Sequence, residues 1–213
     1  MKRQIVILAN SFRESARCIA GIDIATGEWI RPVLVEGAIT WSVRNIDGRE
    51  PELLEIVEIS VQGDGPDLGC QPENRLVNNV PWKPISIIPV RDVLKYCESD
   101  KIILHNDDDS IEANYFETIP KQQWKSLQLI HPVNTKFSST SWEGKKKWRG
   151  IFQYSVNKHL NLGLTDPILI ERLNRDEEIS QDCLLTISLG GPWSRDGIQP
   201  KRCYKLIAGV IEL

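Results

Sequence analysis

The residues best suited to chemistry lie in Thr140 to Gly150, TSWEGKKKWRG, where Lys145, Lys146, Lys147 and Arg149 stand beside Trp142 and Trp148 with Glu143 as the lone acid. Cations answer phosphates and indole rings stack on unpaired bases, so a basic loop with two tryptophans has the composition of a single-strand nucleic-acid contact. A solvated loop, with Trp148 as the inward anchor of the next strand, accounts for the same letters. Arg31 shares a strand face with Trp29, two residues away; it either grips a phosphate in a groove or pairs with a carboxylate while Trp29 fills a barrel wall. Gln71, Glu73 and Asn74 form a polar cluster, suited to capturing a base edge or to fixing a loop through backbone hydrogen bonds.

For catalysis the sharpest string is His105-Asn106-Asp107-Asp108-Asp109, one imidazole and a run of carboxylates. Consecutive side chains point in different directions, so a metal-dependent hydrolase would need a particular loop and further ligands from elsewhere. His131 and His159 stand alone, without an HxH, HExxH or DxDxDG pattern, and Ser188 is not in a GxSxG elbow. No phosphate-binding GxxxxGK[ST] loop is present. The expectation is a protein without catalytic residues, cofactor or metal. The cysteines, at 18, 70, 97, 183 and 203, are odd in number with no CxxC pair, which suits free thiols in a reducing compartment.

Bulk composition narrows the partners. The 213 residues are 41% hydrophobic and 26% charged, enough for one large or two small globular domains. Net charge is −3 and the isoelectric point about 5.7, so no global field attracts a polyanion. Charge is uneven, however: Glu98 to Glu117 carries seven acids and one lysine, whereas Lys136 to Arg149 carries five basic residues and one acid. The apolar run Ile5 to Ala9 is too short for a signal core or a membrane span, so the expected setting is cytoplasmic with no membrane contact.

These side chains must be positioned mainly by strands. Arg17 to Pro32, RCIAGIDIATGEWIRP, reads as a hairpin whose turn, Ala25-Thr26-Gly27, uses glycine for a positive φ. Further strands are expected at 4–9, 53–61, 127–130, 147–154, 160–166, 184–189 and 204–212. The proline-bounded PWKPISIIP reads as an extended connection, and helices are expected at Val90 to Glu98, Ile111 to Ile119 and Ile168 to Arg175. The string Ile-Ala-Gly plus an aliphatic occurs near both ends, hinting at two related β-units. Trp193, in Gly191-Pro192-Trp193, is a loop ring that would anchor a protein partner if exposed.

Taken together and in order, several strings resemble one family. They are Cys18, Ala20 and Gly21; Gly27-Glu28-Trp29-Ile30-Arg31-Pro32; Gln71-Pro72-Glu73-Asn74 followed by Trp82; Thr165-Asp166-Pro167; Ile187-Ser188-Leu189-Gly190; and Tyr204-Lys205-Leu206-Ile207-Ala208. They resemble the bacterial dual OB-containing domain family across nearly the whole chain. The resemblance implies a mainly β chain of two tandem OB-like small β-barrels with a few short helices, the first over residues 1–95 and the second over 96–213, with the boundary between 90 and 120. It implies a non-catalytic nucleic-acid-recognition module, possible in bacterial conflict with phage or mobile DNA, with a protein adaptor as the alternative.

Overall fold

A computed structural model of the chain describes residues 1–13, 16–142, 144–155, 158–194, 197 and 199–213, with Arg13 and Trp142 described by their backbone alone. Two compact units result, one of Met1–Pro66 with Glu73–Tyr96, the other of Asp67–Pro72 with Cys97–Leu213.

The first unit contains β1 (Lys2–Arg13), β2 (Ala16–Asp23), β3 (Trp29–Val33), α1 (Trp41–Arg44), β4 (Glu55–Asp64), β5 (Asn74–Val77), β6 (Lys83–Ile87) and α2 (Val90–Val93). Its strands run β1-β2-β3-β5-β4, and β4 pairs back onto β1, so the sheet closes on itself. One long strand makes closure possible. Lys2 to Val6 of β1 pair with β4 and Ile5 to Arg13 pair with β2, so Ile5 and Val6 are paired on both sides, and a bulge between Ile7 and Ala9 bends the strand. β3 and β5 lie parallel, and the other pairs are antiparallel. Period-two alternation points Ile5, Ile7, Ile19, Ile30, Val57 and Ile59 into one core. The β2–β3 turn is the expected one, with Gly27 at φ 75° donating its N–H to the Asp23 carbonyl at 2.8 Å.

The second unit contains β7 (Ser110–Glu112), α3 (Tyr115–Thr118), β8 (Leu127–Ile130), β9 (Val133–Trp142), β10 (Lys145–Ser155), β11 (Lys158–Leu164), α4 (Pro167–Asn174), β12 (Cys183–Leu189) and β13 (Arg202–Glu212). Strand order is β8-β12-β13-β11-β10-β9, with β11 and β13 parallel. The two ends of that order are consecutive strands, joined by His131-Pro132. β8 and β9 together therefore take the place that β1 fills alone in the first unit. α4 begins at Pro167, and the buried Asp166 caps it by accepting from the Ile168 and Leu169 N–H groups at 3.0 and 3.1 Å. Among the described residues no helix is long and apolar enough to cross a membrane.

Four local expectations change. The helix expected at Val90 to Glu98 is α2 followed by a single 3₁₀ turn at Leu94–Tyr96. The segment Ile111 to Ile119 is not one helix, because Ile111 pairs with Cys203 on β13 and long-range strand pairing outweighs local periodicity; only Tyr115–Thr118 is helical. Within the expected loop Thr140 to Gly150, residues 140–142 and 145–150 are paired strand residues of β9 and β10. The two Ile-Ala-Gly strings do not mark equivalent strands, since they lie on β2 and β13, which occupy different places in their sheets.

Candidate nucleic-acid interface

β9 and β10 contain no Asp or Glu and pair in register, Lys145 with Trp142, Lys147 with Thr140, Arg149 with Ser138 and Ile151 with Lys136. Alternation along β10 puts Trp148, Gly150 and Phe152 on the side facing the core, with Gly150 and Phe152 buried. Lys145, Lys147, Arg149 and Ile151 therefore share the outer side. By register, Lys136, Ser138 and Thr140 of β9 lie on that side too, as does Asn161 of β11, which pairs with Ile151. The lysines are exposed. Arg149 is half-buried, and its Nε donates to Asn161 Oδ1 at 2.7 Å, which aims the guanidinium along the sheet.

This outer side continues across the sheet. Arg149 pairs with Gly163 of β11, and Gly163 with Leu206 of β13. Tyr204, two residues before Leu206, lies on the same side of β13, 38% exposed. Its ring meets that of Trp193, 53% exposed, edge to face at 6.0 Å. The backbone holds the pair in place, because Trp193 and Arg202 exchange two N–H···O bonds of 3.0 and 2.8 Å. From the sequence Trp193 was a loop ring that would anchor a protein partner if exposed, and it is exposed. Tyr204 could not be read so, since a tyrosine inside a strand pattern does not announce its face.

The remaining expected residues are distributed as follows. Lys146 lies on the opposite side of β10, its ammonium 4.4 Å from the Trp148 ring centre, and the Trp148 Nε1–H donates to Asn174 Oδ1 at 2.9 Å. Trp148 packs against the core, which is its inward-anchor role. The side chain of Trp142 lies outside the described residues. Arg31 is 2% exposed and donates from Nη1 to Asn74 Oδ1 at 3.2 Å, so it is a buried brace of the first unit and not part of an outer face. The Gln71, Glu73, Asn74 cluster is divided between the two units. Gln71 donates to the Leu189 carbonyl at 2.9 Å, Asn74 to the Pro66 carbonyl at 2.6 Å, and Glu73 accepts the Arg31 N–H through its own carbonyl at 2.9 Å. These bonds are loop-fixing.

The acidic string is also dispersed. Asp107 pairs with Lys158, Asp109 accepts from the Ser110 hydroxyl at 2.9 Å, and His105 Nε2 lies 2.9 Å from the Lys125 carbonyl oxygen. Its carboxylates have a structural use. Lys205 of β13 is 2% exposed, with Nζ donating to the Asn106 carbonyl and Oδ1 at 2.6 and 2.7 Å. Burial lowers this ammonium to about 8, against the opposing pull of Asp108, Asp107 and Asp109. Among the described residues no three metal-ligating side chains converge.

Five strands closed in the order first-second-third-fifth-fourth, with the third and fifth parallel, define an OB-type barrel, and the second unit follows the same path with its first strand divided. The chain belongs to the dual OB-containing domain family, whose model matches residues 3–210. No curated protein matches it. One solved structure, described as "Molecular basis for abrogation of activation of pro-inflammatory cytokines", aligns over 98% of this chain and 93% of its own, with 10% identity and a TM-score of 0.34. A likeness of that size carries no argument.

Proposed function

We propose that the second unit is a non-catalytic nucleic-acid-binding module that holds a single strand on the outer side of β9, β10, β11 and β13. One observation carries this reading: three exposed lysines without an acid on their strands, Lys136, Lys145 and Lys147, and the half-buried Arg149 share a side of the sheet with the exposed Tyr204–Trp193 ring pair. Cations track a phosphate backbone, and a ring pair offers a stacking face to any base. The second and third strands of OB barrels are where such ligands lie, and here those strands are β10 and β11. Five free cysteines support a reducing compartment such as the cytoplasm.

The test is fluorescence anisotropy of labelled oligo-dT and oligo-rU against the full chain at two salt concentrations. Binding is expected to weaken with salt. The Lys147→Ala/Arg149→Ala variant loses about 1.4 from the log–log salt slope, roughly 0.7 per phosphate contact on a single strand. Tyr204→Ala weakens binding about tenfold with an unchanged slope, since a base stack is worth about 1–3 kcal/mol. No binding of either oligonucleotide at low salt overturns the proposal. A protein adaptor is the second reading, supported by β6, an edge strand exposed along its whole length with Ile85 and Ile87 at 41% and 69%. Pull-down through wild type but not through an Ile85→Lys variant would favour it.

A further inference from the structure

The cations on the outer side of the second sheet are not alike. Lys136, Lys145 and Lys147 are exposed point charges on flexible stems. Arg149 is fixed: its Nε donates to Asn161 Oδ1 at 2.7 Å, and its Nη2 donates to the Asn161 backbone carbonyl. Two bonds on one edge of a planar guanidinium set its direction. They leave its end-on fork, Nη1 and the second N–H of Nη2, without a partner among the described residues. Asn161 is exposed, and since Oδ1 is its accepting end, its other end is the Nδ2 donor. A second arginine on this side, Arg202, is already engaged, with Nε on Ser110 Oγ at 2.9 Å and Nη1 on Glu112 Oε1 at 3.3 Å.

The parallel register of β11 and β13 sets this fork beside the exposed tyrosine. Gly163 is level with Leu206, and two residues earlier in each strand stand Asn161 and Tyr204. Arg149 pairs with Gly163 but bonds to Asn161, so it leans along β11 toward the level of Tyr204. The floor between is low and apolar. Gly163 has no side chain, and a Cβ on it would meet Leu206 Cδ2 at 3.3 Å, so the half-buried Leu206 leans over the glycine. β10 and β13 are two strand spacings apart, about 10 Å, and a base laid on the Tyr204 ring therefore brings its edge to the guanidinium fork.

We infer that Arg149, held by Asn161, is the specificity-determining residue of this face and selects guanine among the bases of a bound single strand. This rests on the nucleic-acid reading of the face and adds the base that the face prefers. A fork of two parallel N–H groups needs two neighbouring acceptors, which guanine presents in O6 and N7. Adenine sets an N6–H donor beside its N7, and thymine and uracil separate O4 from O2 by the N3–H donor. With those bases the fork closes on phosphate oxygens instead. Cytosine has a neighbouring pair in N3 and O2 but, as a pyrimidine, covers less of the tyrosine ring.

The test is fluorescence anisotropy of the full chain with alternating d(TG), d(TA) and d(TC) oligonucleotides beside oligo-dT of the same length. The d(TG) strand is expected to bind at least about threefold tighter than d(TA) or oligo-dT, because half its registers put guanine at the fork and a bidentate pair is worth about fivefold or more. Replacing guanine by 7-deazaguanine, which lacks N7, removes the preference, whereas deoxyinosine, which keeps O6 and N7, retains it. Arg149→Lys keeps the charge and loses the fork, and Asn161→Ala loses the brace; each is expected to bring the ratio of d(TG) to oligo-dT affinity to about one. If neither variant folds, the 7-deazaguanine comparison on wild type decides alone. Equal binding of d(TG), d(TA) and oligo-dT, tighter binding of d(TC) than of d(TG), or a preference that survives 7-deazaguanine or Arg149→Lys overturns the inference and leaves the nucleic-acid reading standing. Absence of binding to every oligonucleotide overturns both.

Discussion

In the first unit one strand, β1, serves two edges, pairing with β4 over Lys2 to Val6 and with β2 from Ile5 on, whereas in the second the same edges are served by β8 and β9, which part at Pro132. Both arrangements leave a hairpin that outruns the third strand. In the first unit, residues 9–13 and 16–20 pair with each other, while β3 meets β2 only at Gly21 and Ile22. In the second, Lys145 to Trp148 pair with β9 alone, because β11 begins its pairing at Arg149. The two arms differ in chemistry. On the first, the Arg17 guanidinium sits 5.6 Å from the Phe12 ring and 3.7 Å from Glu50, so its charge is answered within the unit. On the second, neither strand carries an acid. The shared topology supplies an arm, and its composition decides whether that arm's charge is answered by its own unit or left exposed on lysines.

The sharpest way to break the comparison is at the glycine each unit places in its second strand. A Cβ on Gly21 would lie 2.2 Å from the Val6 carbonyl oxygen, whereas one on Gly150 would meet Ile207 Cδ1 at 2.4 Å. Backbone cannot yield as a side-chain end can. Gly21→Ala is expected to cost about 3 kcal/mol or more and Gly150→Ala about 1–2 kcal/mol, read by urea unfolding of the full chain. Equal losses would show the two strands to be packed alike.

Lys205 gives the second unit a pH dependence. With this ammonium lowered to about 8 in the folded chain, the unfolded chain holds the extra proton between that pH and the ordinary lysine range, so stability rises with pH there. Measured against Lys205→Met, wild type should gain roughly 2 kcal/mol between pH 7 and pH 10; a flat difference would place Nζ in solvent.

Helix entry separates the units by a smaller amount. Asp166 caps α4 and also accepts the Val210 N–H at 3.2 Å, whereas the Thr40 hydroxyl before α1 pairs with that of Ser42 at 2.9 Å. Asp166→Ala is expected to cost about 1–2 kcal/mol and Thr40→Ala under about 0.5, both by thermal melting. The smallest effect expected is on the arm itself. Lys147→Ala should change stability by less than about 0.5 kcal/mol while weakening oligonucleotide binding, because an exposed lysine contributes little to folding.

The alternating strands, the Gly27 turn, the Pro167 helix start and the order of family strings were all legible in the residues, because each is a short-range property of period, φ or capping. Periodicity also predicted a helix where Ile111 instead pairs with β13, a partner about ninety residues away that no local window contains. The lysines and Arg149 were legible as a basic cluster. That they lie on two sides of one strand, with Trp148 turned inward, required the β9–β10 register. By type alone Arg31 and Asn74 suited either a ligand or a structural partner, and parallel pairing of β3 with β5 buries them against each other. The sequence by itself determined which residues alternate, turn and cap, since these follow from chain stereochemistry within a few residues. Tertiary structure alone decided which charges reach solvent and which polar side chains are buried, because burial and hydrogen-bond partnership depend on strands far apart in the chain.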